Sequence, residues 1–118
     1  MSGSFINIAG QLKVVQNNRH TAFVNMQQDG DQLSGFATHA GGSVTSTGIT
    51  GQVVGESVDF TIMWSNGAKG HYLGRLEKGI ATNRMEGILK GTARDENNPQ
   101  NTANWEVHDR VFRRLVPA

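Results

Sequence analysis

The sequence predicts an all-β fold, an eight-stranded antiparallel up-and-down β-barrel, and three observations lead to it. Glycine is abundant, with 15 Gly against 2 Pro in 118 residues, about twice the average usage of 7%. Turn dipeptides recur every roughly 10 to 14 residues, the spacing of consecutive hairpins rather than of βαβ units. Between the turns apolar residues alternate with polar ones, and no window shows the apolar stripe of an amphipathic helix.

The turns are predicted from glycines that follow residues typical of tight loops. Glycine and asparagine tolerate the positive φ that two-residue hairpin turns require. The turn segments are Asp29-Gly30, Gly41-Gly42, Gly55-Glu56, Ser65-Asn66-Gly67 and Glu77-Lys78-Gly79.

Alternation between these turns assigns the strands and their inward faces. In the second strand Ala22, Val24 and Met26 share one face, and in the third Leu33 and Ala37 do. The fifth strand is the clearest, because every second residue from 58 to 64 is apolar. The eight predicted strands span residues 5–16, 20–28, 32–39, 47–54, 57–64, 68–76, 80–92 and 105–116.

An apolar-x-Gly pattern recurs along the strands and favours a closed barrel over a sandwich. Glycine weakens a strand interior unless the strand coils sharply or packs closely, and a small barrel requires both. Ordinary bulges are the alternative explanation. The pattern occurs at Ile8-Ala9-Gly10, Leu33-Ser34-Gly35, Ile49-Thr50-Gly51, Tyr72-Leu73-Gly74 and Met85-Glu86-Gly87.

One connection is predicted to be long, a polar surface loop over Ala93–Asn104 that contains Asp95-Glu96-Asn97-Asn98-Pro99. A single strand follows this loop, so it is not a linker between domains. We therefore expect one domain over residues 1–118.

Composition excludes several classes of function. The chain has no Cys, which removes disulfides and thiolate chemistry. Its net charge of +1 does not favour a nucleic-acid partner. No run of 18 apolar residues and no signal-peptide pattern is present, so we expect a cytoplasmic protein without a membrane partner.

Several segments resemble the avidin and streptavidin family. Asp29-Gly30 with Leu33-Ser34-Gly35 resembles its second hairpin, and residues 60–66, which read Phe-Thr-Ile-Met-Trp-Ser-Asn, resemble its fifth strand. Thr102-Ala103-Asn104-Trp105 followed by His108-Asp109 resembles the segment that carries an intersubunit Trp and a ligand-binding Asp. The resemblance covers about Ile8 to Val116 and implies an avidin-like barrel.

The same resemblance implies that the biotin site is degenerate. The family's Asn and Tyr positions hold Val14 and Ala37, and the Ser position holds His39. The paired hydroxyls are replaced by Ala68 and Gly70. Among the family's ligand contacts Trp64, Trp105 and Asp109 remain.

Candidate ligand-binding residues come from parity and from the resemblance. Phe60, Trp64, Tyr72 and His39 have inward parity, whereas Trp105 lies at a loop–strand junction and the resemblance implies Asp109. Trp64 either plugs the barrel or forms a pocket wall, and Trp105 packs either in the core or across a subunit interface. An aromatic cluster of this kind is also a common way to fill a core. The candidates are Phe60, Trp64, Tyr72, Trp105, His39 and Asp109.

No catalytic or metal-binding pattern is evident. The four His residues, 20, 39, 71 and 108, are expected to lie far apart on different predicted strands, and they lack metal-ligand spacing. Adjacent His108 and Asp109 point to opposite faces of a strand, so they do not form a dyad. We therefore expect no metal, no cofactor and no enzymatic activity.

These observations predict a non-catalytic barrel that binds a small molecule at its open end. The alternatives are a carbohydrate-binding, lectin-like module and a cofactor-free enzyme of the cyclase or isomerase type. Outward apolar residues, namely Phe36, Met63, Leu73 and Ile88, predict a homo-oligomer, either a dimer or a tetramer.

Overall fold

The computed structural model describes residues 5–17, 20–39, 44–78 and 86–115. All regular structure in these ranges is β-strand, as the sequence predicts. The strands are β1 (Phe5–Ile6), β2 (Gly10–Gln16), β3 (Thr21–Asp29), β4 (Gln32–His39), β5 (Ser46–Val54), β6 (Ser57–Trp64), β7 (Lys69–Lys78), β8 (Glu86–Asp95) and β9 (Asn98–Leu115). Within the described ranges there is no helix that could span a membrane.

The strands form a closed antiparallel barrel. Consecutive strands from β2 to β9 pair with one another, and β9 also pairs with β2. Closure leaves none of these eight strands as an open edge. The predicted eight-stranded up-and-down barrel is therefore confirmed, with β1 as a short addition that pairs with the end of β9.

The first predicted strand is split in two. Residues 7–9 interrupt it, and the side chain of Gln28 on β3 supplies the missing pairing there. Its Oε1 accepts a hydrogen bond from the Ile8 N–H at 2.8 Å, and its Nε2 donates to the Ile6 carbonyl at 3.0 Å. The Gln28 side chain thus makes the backbone hydrogen bonds at Ile6 and Ile8 that a neighbouring strand would otherwise make.

The predicted long loop over Ala93–Asn104 is wrong. β8 continues to Asp95, and β9 begins at Asn98, so a tight turn joins them. The Asp95 carboxylate accepts a hydrogen bond from the Asn97 N–H at 2.9 Å, which is an Asx turn. The polar residues that indicated a loop are instead the turn and the solvent-exposed ends of two paired strands.

Two other sequence predictions concern residues at or beyond the ends of the described ranges. β7 continues through Lys78, so the predicted turn at Glu77-Lys78-Gly79 does not begin at Glu77. Gly41-Gly42 and residues 80–85 of the seventh predicted strand lie outside the described residues.

The alternating inward residues form the core as predicted, and three aromatic rings fill its middle. Phe60 stacks on Tyr72 with ring centroids 5.1 Å apart, and Trp105 meets both rings edge-on at 5.9 and 6.0 Å. Phe60 and Trp105 are fully buried. The Trp105 indole also donates a hydrogen bond to the Thr92 carbonyl at 2.9 Å, so this residue is part of the local core.

The Trp105 ring lies against Gly74, which explains one of the apolar-x-Gly segments. A Cβ built on Gly74 would lie 2.5 Å from a ring carbon of Trp105. Gly91 on β8 separates the two residues and pairs with both, with Gly74 on β7 and with Trp105 on β9. Glycine is therefore required here for close packing, which is the requirement that the sequence pattern indicated.

Candidate functional site

An open cavity of about 720 Å³ occupies one end of the barrel. Even-numbered strands end there and odd-numbered strands begin, so residues distant in sequence meet at its wall. Its lining combines small apolar, aromatic, amide and charged side chains. The lining includes Gln16, His20, Ala22, His39, Trp64, Asn66, Ala68, Lys69, Gly70, Tyr72, Ala93, Arg94, Gln100, Asn101, Thr102 and Ala103.

Small residues make room for the cavity. Ala22, Gly70, Ala93 and Ala103 line it and stand on four different strands. Ala93 pairs in register with Tyr72 and with Ala103, so the small positions adjoin the aromatic core. The cavity therefore ends where the ring cluster begins.

Tyr72 connects the core to the cavity. Its ring is 3% exposed and stacks on Phe60, whereas its hydroxyl donates a hydrogen bond to Gln16 Oε1 at 2.9 Å. Burial raises the pKa of Tyr72 to about 12, because the phenolate would lose its hydration. The hydroxyl is therefore protonated at neutral pH and presents a neutral polar group to the cavity.

Trp64 belongs to the wall of the cavity rather than to the central plug. It is partly buried, packs against the edge of the core and lines the cavity. Backbone hydrogen bonds hold its main chain: its N–H donates to the Ala68 carbonyl, and the next N–H, of Ser65, donates to the Thr45 carbonyl. An indole face at the wall of the cavity suits the flat or apolar side of a ligand.

His20 and His39 meet in the wall beside Trp64. His20 Nδ1 and His39 Nε2 are 2.9 Å apart, and the His39 ring meets the Trp64 ring edge-on at 6.4 Å. The expectation that the histidines are far apart is thus wrong for this pair. The antiparallel pairing of Ala22 with His39 brings them together, and the hairpin predicted around Asp29-Gly30 already contained that information.

His71 belongs to a second polar cluster, on the outer face of the barrel. Its Nε2 lies 2.6 Å from Asp59 Oδ1, and its Nδ1 lies 3.2 Å from Glu96 Oε1. This outward orientation agrees with its predicted parity. The cluster connects β6, β7 and the β8–β9 turn, and it does not line the cavity.

Amide and charged side chains form the rim. Gln100, Asn101 and Thr102 line the cavity from the start of β9, and Asn66, Lys69 and Arg94 face them from neighbouring elements. Sequence reasoning missed the β9 residues because they fell in the predicted loop. The Asx-turn signal at Asp95–Asn97 was the available indication that they belong to a hairpin.

The structure brings together part of the predicted ligand-binding set. His39, Trp64 and Tyr72 line the cavity, whereas Phe60 and Trp105 are buried beside it and do not. The side chain of Asp109 lies outside the described residues. Within the described part of the chain no three His, Asp or Glu side chains are grouped to hold a metal ion.

No protein-family model, curated protein or solved structure matches this chain. The likeness to avidin and streptavidin therefore stays a prediction from the residues quoted above.

Proposed function

We propose that this barrel is a non-catalytic binding protein for a small organic molecule, which it holds in the open cavity. The observation that carries the proposal is a cavity of about 720 Å³ with an indole wall and a polar rim. Ligand pockets in proteins typically measure about 300–1,000 Å³ and combine apolar walls with a few polar groups. Because the ring cluster fills the barrel below, the ligand binds in the mouth and stays accessible from solvent.

A fragment screen observed by NMR on the protein tests this proposal. Fragments that bind are expected to shift the Trp64 indole N–H and the amides of Gly70 and Ala103, all of which border the cavity. The matched variants are Ala68→Trp, which fills the mouth, and Thr50→Trp, which adds the same side chain on the exposed face of β5. Binding should be lost in the first variant and kept in the second.

The same screen separates a binding protein from a cofactor-free enzyme. Fragments recovered after incubation should have unchanged mass if the site only binds. Conversion of a fragment by the wild type, and not by the Ala68→Trp variant, would replace this proposal with the enzymatic alternative.

A carbohydrate ligand is the second candidate, favoured by the composition of the rim. Four residues with carboxamide side chains line the same cavity as Trp64, namely Gln16, Asn66, Gln100 and Asn101. Amides donate and accept hydrogen bonds at once, as sugar hydroxyls do. Glycan-array binding that free monosaccharide competes away would support this candidate, and binding only to non-sugar fragments would exclude it.

Biotin is expected to bind more weakly than micromolar. Ala68 and Gly70 line the cavity at the positions where the family resemblance implies hydroxyls, and Val14 and Ala37 are buried in the core. Each missing hydrogen bond costs on the order of 1 kcal/mol, and several are missing together. Calorimetry that showed nanomolar biotin binding would contradict the degenerate site.

A further inference from the structure

We propose that His20 and His39 form a two-imidazole binding site for a divalent transition-metal ion of the zinc, nickel and copper group. The two facing ring nitrogens, His20 Nδ1 and His39 Nε2, are 2.9 Å apart. Both residues line the mouth of the cavity. This inference does not rest on the proposed function, because it concerns the metal alone.

Backbone hydrogen bonds hold the two residues in place. The His20 carbonyl accepts a hydrogen bond from the Gln16 N–H at 2.9 Å, and the His39 N–H donates to the Val44 carbonyl at 2.9 Å. His39 is also the last residue of β4 and pairs with Ala22 on β3. The backbone of each residue is therefore held by the barrel, and a metal ion would not have to order the chain first.

The spacing of the rings suits a shared metal ion. Their centroids are 5.1 Å apart, with the ring planes inclined at 62°. Two imidazoles bound to one tetrahedral ion at about 2.0–2.1 Å place their nitrogens roughly 3.3 Å apart and their centroids roughly 5 Å apart. The rings could therefore bind one ion by turning in place, with little displacement of their centres.

Metal binding would replace the hydrogen bond between the rings. In the neutral pair one nitrogen donates a proton and the other accepts it. Both facing lone pairs must be available to the metal, so in the neutral pair that proton shifts to the other nitrogen of the same ring, and a proton is released to solvent only when one of the rings is imidazolium. Protons therefore compete with the metal, and affinity should fall as the pH falls.

Ligand chemistry selects the class of ion. Imidazole nitrogen suits zinc, copper and nickel, whereas magnesium and calcium prefer oxygen ligands. The chain has no thiolate to contribute. Because the pair faces the cavity, water or a bound molecule would complete the coordination shell, as in open metal sites.

The test is calorimetric titration of the full chain, prepared without a histidine tag, with Zn²⁺, Ni²⁺, Cu²⁺ and Mg²⁺. One transition-metal ion per chain is expected, with Cu²⁺ binding tighter than Ni²⁺ or Zn²⁺ and with no heat from Mg²⁺. His20→Gln and His39→Gln should each weaken binding at least tenfold. The matched control His71→Gln, on the outer face of the barrel, should change it less than twofold.

A measurement on the wild type guards against variants that do not fold. Cu²⁺ should quench the fluorescence of Trp64, whose ring lies 6.4 Å from the His39 ring, and broaden the NMR signals of Thr21 and His39 first. The proposal is overturned if millimolar metal does not bind or if broadening is centred elsewhere. It is equally overturned if folded His20→Gln or His39→Gln binds as tightly as the wild type.

Discussion

The two tryptophans have different structural roles, which the sequence left open for each of them. Trp105 is fully buried against Phe60, Tyr72 and Gly74, whereas Trp64 is partly buried at the cavity. Their surroundings, rather than the residue type, determine which one stabilises the fold and which one is available to a ligand.

Replacing each tryptophan by alanine should separate these roles. Trp105→Ala is expected to lower the free energy of unfolding by about 3–5 kcal/mol, because it leaves a large cavity in the core. Trp64→Ala should cost clearly less and should reduce fragment binding more. Denaturant unfolding measures both, and equal losses of stability would show that Trp64 is a plug after all.

Tyr72 should make stability decline at alkaline pH. Its pKa is about 12 in the folded protein against 10.0 unfolded, so the unfolded chain releases the proton first as pH rises. The stability associated with the neutral hydroxyl is complete below pH 10 and is lost between pH 10 and about 12. A shift of this size corresponds to roughly 2–3 kcal/mol.

The chain contains a single tyrosine, so tyrosinate absorbance reports on Tyr72 alone. Tyr72→Phe should remove this part of the alkaline decline while keeping the ring contact with Phe60. A wild-type tyrosine that titrates like a free one, or a variant with the same alkaline decline, would contradict the buried hydroxyl.

At the scale of single residues, the sequence predicted which side chains face the barrel interior but not which of them contact one another. Parity correctly placed Phe60 and Tyr72 inside, but left Trp105 open between the core and a subunit interface. It could not show that the ring cluster ends below Trp64, because that depends on the small residues Ala93 and Ala103 on strands far along the chain.

At the scale of elements, Gln28 is the residue that fixes the junction between β1 and β2. It hydrogen-bonds to the Ile8 N–H and to the carbonyls of Ile6 and Gly30. Alternation alone could not predict this break, because the hydrogen-bond partners come from a side chain 20 to 22 residues further along the chain. The sequence pattern therefore runs through residues 5–16, whereas the strand itself is interrupted.

Gln28→Ala should loosen this junction. Removing a partner of buried backbone groups costs about 1–3 kcal/mol, and the Ile8 amide should exchange its hydrogen faster. Gln27→Ala, one residue earlier on the exposed face of β3, is the matched control and should change neither quantity appreciably. Unchanged exchange at Ile8 in Gln28→Ala would show that other contacts hold the junction.

The last two strands show why the turn at Asp95–Asn97 was missed. β8 and β9 extend beyond the predicted strands into polar segments, because their pairing with each other satisfies the backbone whatever the side chains are. Charged and amide residues at a barrel mouth therefore look like a loop in sequence. In this protein they form the rim of the candidate site.

At the scale of the whole molecule, the outer surface bears on the predicted homo-oligomer. Phe36 and Leu73 are 51% and 44% exposed, as their parity predicts, whereas Met63 and Ile88 are half-buried. Leu73 and Ile88 are separated by the outward Arg75–Lys90 pair. Phe23, 48% exposed, lines the same groove as Phe36 on β3 and β4, so this face carries two exposed aromatic rings.

Light scattering at micromolar concentration should report at least twice the chain mass of 12.8 kDa. A glutamate at Phe23 or Phe36 should dissociate the assembly, because charge on a buried apolar contact is costly. Thr50→Glu, exposed on β5, is the control, and Leu73→Glu reports on the opposite face. A monomeric wild type at this concentration would refute the oligomer.

The central claim is that the open end of this closed barrel binds a small molecule between Trp64 and the polar rim. The most direct test is the NMR fragment screen on the wild type and on the Ala68→Trp and Thr50→Trp variants. The shifts are expected to cluster at Trp64, Gly70 and Ala103 and to vanish when Ala68 is replaced by Trp. Shifts centred elsewhere on the barrel, or shifts that survive the filled mouth, would contradict it.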